Sequence, residues 1–113
     1  MKIPNRFKLL GQTIEVVFGE EFFLGTDCIG YAAYRSNQIQ LKPVSAASPR
    51  SESQMEQTFL HELMHWILFF SEDTNTGKER NLHQEENFVD MTAHLLQQAL
   101  NSFEYDNDEK DKS

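Results

Sequence analysis

Only one cysteine, Cys28, occurs in this chain of 113 residues. No internal disulfide can form, which removes the stapled secreted scaffolds on which many small domains depend. Proline and glycine are also sparse, at three and five residues, and unevenly placed. Pro4, Pro43 and Pro49 and four of the glycines fall in the first half, while the second half has Gly77 alone. Strands and turns are therefore expected first and helices after. Basic residues are outnumbered, 10 Lys plus Arg against 18 Asp plus Glu, for a net charge of −8. Proteins that grip nucleic acid by neutralising phosphates usually carry the opposite balance, so no nucleic-acid partner is expected. No apolar run approaches the roughly 18 residues that span a bilayer, and Met1–Phe7 contains no apolar signal-peptide core. The expectation is a cytoplasmic protein with no membrane partner.

What is present suffices for one core. Hydrophobic residues make up 39% and aromatics 12%, including nine Phe, which is incompatible with a disordered chain. A single domain over 1–103 is expected, followed by a flexible acidic tail over 104–113 that holds five acids and two lysines. Residues Gln12–Phe18 alternate, with Ile14, Val16 and Phe18 on one face, as in a half-buried strand. Cys28–Arg35 and Gln38–Lys42 read as two more strands joined by a tight turn at Ser36–Asn37, with Ile39 and Leu41 sharing a face. A helix opens near Ser51 or Ser53, each followed three residues later by Gln or Glu in a capping-box pattern. Met55, Phe59, Leu63, Trp66 and Phe70 give it an apolar stripe. Residues 71–80 read as a loop. A second helix spans about Asn81 to Phe103, with Phe88, Met91, Leu95, Leu96, Ala99 and Phe103 on its apolar side. The fold class is α+β, a small antiparallel or mixed sheet followed by two helices.

The first helix carries His61-Glu62-Leu63-Met64-His65, an HExxH pattern. Residues four apart share a helix face, so both imidazoles can reach one metal ion. Glu62, one step round the helix, can instead reach a water bound to that metal and act as general base. In a chain of this composition the pattern arises by chance about once in seventy. Two histidines leave a catalytic zinc one protein ligand short. The glycine and third histidine of metzincins would fall at positions held by Leu68 and Ser71, so that pattern fails. His83, Glu85, Glu86, Asp90 and His94 remain as candidates.

Glu86-Asn87-Phe88-Val89-Asp90, which begins 21 residues after His65, resembles the second helix of gluzincin metallopeptidases. Leu60-His61-Glu62 and the segment Glu86 to Ala93 resemble the smallest gluzincins, the minigluzincin-like and ImmA/IrrE-type metallopeptidases of phage and mobile elements. The likeness covers most of residues 7–100 and is loose over the sheet. It implies a zincin-like fold with His61, His65 and Glu86 as ligands of Zn2+. It further implies Glu62 as the catalytic base, and Asp90 as an acceptor for an imidazole N–H that fixes its tautomer. Glu85 is the alternative third ligand.

The implied activity is a zinc metallopeptidase that hydrolyses peptide bonds through a zinc-bound water. Its partner would be a peptide or protein substrate, in one version a regulatory protein. The alternative is a weakly active or inactive protein-binding module with a structural zinc. No oxyanion-stabilising residue stands out, although Tyr31 and Tyr34 are available. His83 and His94 read first as solvated or surface histidines, and Cys28 as a small core residue. The strand Gln38–Lys42 is expected at the sheet edge beside the cleft, where a peptide could add as a further strand.

Overall fold

A computed structural model describes residues 2–73 and 85–106. The first strand, β1 (Arg6–Leu9), escapes the sequence reading because only Phe7 and Leu9 signal it. It turns at Leu10 and Gly11, with φ of 50° and 78°, and pairs antiparallel with β2 (Gln12–Phe18). Two successive positive φ values match the twist of a two-residue hairpin. Ile14 and Val16 are buried as expected, whereas Phe18, which ends the strand, is half exposed.

The third strand is shorter than predicted. β3 spans Gly30–Ala33, and Tyr34–Ser36 form a turn of 3-10 helix that ends at Asn37 in the left-handed conformation (φ 54°). The aromatic ring of Tyr34 explains the early stop. It stacks on Phe69 with centroids 4.3 Å apart and meets Trp66 edge-on at 5.0 Å, which draws the chain toward the helix. β4 (Gln38–Leu41) follows.

The sheet order is β1-β2-β4-β3, with β2 and β4 parallel and β3 antiparallel to β4. This corrects one expectation: β4 is an inner strand and β3 is the edge. A return connection long enough to include β3 lets β4 slot in beside β2 and leaves β3 outside.

Helix α1 (Glu52–Asp73) begins with the predicted capping box at Ser51. The Ser51 N–H donates to Gln54 Oε1 at 2.8 Å, and the Gln54 N–H donates to Ser51 Oγ at 3.1 Å. The helix runs through 71–73, which had been read as loop, and residues 74–80 lie outside the described set. Phe59, Leu60 and Trp66 pack on Ile14, Ile39 and Leu41 in one core. Trp66 Nε1 donates to the Gln38 carbonyl at 3.1 Å, tying α1 to β4.

Helix α2 (Glu86–Asn101) packs on the other side of α1, so α1 is the middle layer. The predicted start at Asn81 and His83 lie outside the described residues, and the helix stops two residues short of Phe103. The larger correction concerns its face. Leu96 packs against the core as expected, and Val89, Ala93 and Gln97 are buried, while Phe88, Met91 and Leu95 are 42%, 59% and 56% exposed. Residues 104–106 are exposed and 107–113 lie outside the described set. No described helix is long and apolar enough to cross a membrane.

Candidate metal centre

The i, i+4 geometry of α1 sets His61 and His65 side by side, with ring centroids 5.0 Å apart. The third group comes from α2. Its far end is clamped to the first turns of α1, where Gln97 Nε2 donates to the Ser53 carbonyl at 3.0 Å and to Glu56 Oε1 at 2.8 Å. The Asn101 amide adds a bond to the same Glu56 oxygen at 3.3 Å. Ala93, small and fully buried, lets the helices approach closely. The antiparallel pairing that results carries the first turn of α2 to the HExxH turn.

There Glu86 bridges both histidines. Its Oε1 lies 2.9 Å from His61 Nε2 and its Oε2 lies 3.2 Å from His65 Nε2. Glu85 is instead the N-terminal cap residue of α2, whose carbonyl accepts the Val89 N–H. Asp90, one turn beyond Glu86, places Oδ1 3.4 Å from His61 Nδ1. His94 approaches the other oxygen of Asp90 at 3.6 Å, so it belongs to the rim of the site and not to the ligand group.

This arrangement suits a divalent cation. One donor atom from each of His61, His65 and Glu86 lies within 4.8 Å of the others. Ligands about 2.0–2.1 Å from a tetrahedral zinc are separated by about 3.3 Å, close to the contacts seen here. The protonation pattern agrees. His61 has carboxylates at both ring nitrogens, but a neutral imidazole carries only one proton. A proton on Nδ1 facing Asp90 leaves the Nε2 lone pair aimed at Glu86. A cation between the two would resolve that conflict.

Glu62 faces a cavity of about 700 Å³ that is also lined by His61, His65, Glu86, Gly30 and Tyr31. Its side chain is buried, with 7% of the residue exposed. Burial pushes its carboxyl from 4.5 up to about 7; the nearby His61 opposes the rise and the Glu86 charge adds to it. A base poised near neutrality suits proton transfer. Of the two tyrosines, Tyr34 is engaged in the aromatic stack, whereas Tyr31 is exposed on the cavity rim. Cys28 is exposed and not a core residue.

The sequence reading passed over Gly30. A Cβ built on it would stand 2.8 Å from Thr58 Cγ2 and 3.0 Å from Glu62 Oε2. A lone glycine inside a predicted strand was the available signal, since it often marks close approach by another group.

No curated protein and no solved structure matches this chain. A family model described as SprT-like matches residues 6–107, from β1 to beyond α2, and that span includes both helices that build the His-His-Glu group. The chain therefore belongs to the SprT-like family, a zinc metallopeptidase-like family related to the minigluzincins.

Proposed function

We propose that this protein is a zinc-dependent peptidase with Glu62 as general base. The observation that carries the reading is the convergence of His61, His65 and Glu86 beside a buried carboxyl whose proton affinity lies near neutrality. Bound zinc would supply Lewis acidity and lower the pKa of a water molecule. Glu62 takes the proton from the attacking water and returns it to the leaving amine. Asp90 accepts a hydrogen bond from His61 Nδ1–H and holds the ring with Nε2 toward the metal.

The edge strand supports a peptide substrate. The Lys42 N–H donates to the Ile29 carbonyl, so in the antiparallel register Ile29, Tyr31 and Ala33 turn their backbone groups toward β4. Gly30 and Ala32 then turn theirs toward the free edge, beside Glu62. An extended peptide can add there through main-chain hydrogen bonds. A single regulatory protein as substrate, in the manner of ImmA/IrrE-type proteins of mobile elements, is the narrower form of the proposal.

The second reading is a binding module with a structural metal, favoured by the exposed apolar stripe of α2. Elemental analysis and peptide turnover separate the two. The purified protein is expected to hold one zinc per chain, which His61→Ala and Glu86→Gln lose. Glu62→Gln should keep the zinc and lose about 10²–10⁴-fold in kcat. A Glu62→Gln protein that keeps its cellular function while His61→Ala abolishes it would favour the binding module.

A further inference from the structure

We propose that Gly30 is a positioning residue for Glu62. By lacking a side chain, it leaves the space in which the Glu62 carboxyl is held beside the His61–His65–Glu86 group. The proposal rests on the reading of Glu62 as the base.

Gly30 is not required for its backbone angles, because its φ lies outside the left-handed region where glycine is favoured. The constraint is space. The built Cβ meets Thr58 Cγ2 at 2.8 Å, Glu62 Oε2 at 3.0 Å and Glu62 Cγ at 3.1 Å. Thr58 and Glu62 are i and i+4 on α1, so together they form the notch that receives β3. Thr58 cannot easily yield. Its Oγ1 donates to the Gln54 carbonyl at 2.9 Å, and its β-branched side chain has few other rotamers. Glu62 is the softer wall, and any side chain at position 30 would turn its carboxyl out of the notch. The three atoms nearest the Cβ all belong to Thr58 and Glu62, not to His61, His65 or Glu86. Gly30 also presents its N–H and C=O to the free edge, so a single residue would set both the substrate strand and the base beside it.

The test is Gly30→Ala, read in three ways. Zinc content should stay at the wild-type level. Carbodiimide labelling of the metal-free protein, followed by mass spectrometry, should show Glu62 protected in the wild type and labelled several-fold faster in the variant, with the exposed Glu104 unchanged. On a peptide substrate kcat should fall roughly a hundredfold with KM within about threefold, the signature of a displaced base. The double variant Gly30→Ala/Thr58→Ser removes the methyl clash and keeps the one with Glu62; should the single variant fail to fold, the double variant should fold and show the same labelling and kcat loss. Unchanged Glu62 labelling in both variants would overturn the proposal, as would faster labelling with unchanged kcat. A zinc-loaded wild type that hydrolyses nothing, together with the labelling difference, would overturn the peptidase reading and leave the steric role of Gly30 standing.

Discussion

Both faces of α2 carry apolar residues, but only one of them is packed. Toward α1 it presents Glu86, Asp90 and Gln97 among four apolar residues, with Val89 and Ala93 fully buried and Leu96 and Leu100 partly buried against the core. Toward solvent it presents Phe88, Met91 and Leu95. Hydrophobic area alone separates the two faces only weakly. The helix is also held by a set of directed contacts: Gln97 and Asn101 on Glu56 at one end, Glu86 and Asp90 on the two histidines at the other. Apolar packing and these polar contacts orient the helix together, and Phe88, Met91 and Leu95 are left facing water.

The largest effect should come from the polar side of this comparison. A carboxyl raised from 4.5 to about 7 penalises the folded state once ionised. Well below pH 4.5 it is protonated in both states and costs nothing; the penalty grows as pH rises from there to 7 and reaches about 3 kcal/mol above it. In chelator, Glu62→Gln should therefore melt several degrees above the wild type at pH 8, and the gap should close well below pH 4.5. A pH-independent gap would mean that the burial of Glu62 is not what costs the fold.

Next is the packed strip itself. Ala93→Leu inserts three carbons where α2 meets α1 and should cost about 1–3 kcal/mol in urea unfolding, with zinc affinity falling alongside. If stability drops and zinc binding does not, the docking of α2 and the closure of the site are separable. The smallest effect is expected on the outer face. Leu95→Gln should shift stability by no more than about 0.5 kcal/mol, since little of that side chain is buried. A larger loss would show that the stripe is covered in solution.

The site was partly legible in the chain. His61, Glu62 and His65 could be read because their relation is local, three positions within five residues of one capped helix. Glu86 could not be derived that way. It lies 25 residues from its partner His61, and five candidates stood open until a family resemblance chose among them. Periodicity gave α2 an apolar side of Phe88, Met91 and Leu95 because it counts greasy residues and does not see a Gln97 that bonds a buried Glu56. Similarly, the alternation in Gln12–Phe18 and Gln38–Leu41 revealed both strands, but not that they pair in parallel and leave β3 at the edge.

By itself the sequence determined the α+β order, the capped helix and its two histidines, because helix geometry and capping depend on residues within one or two turns. Tertiary structure decided which acid meets those histidines, which strand forms the free edge, and why position 30 is glycine. Each of these depends on groups that chain connectivity keeps far apart, and they meet only when α2, α1 and β3 pack into one notch.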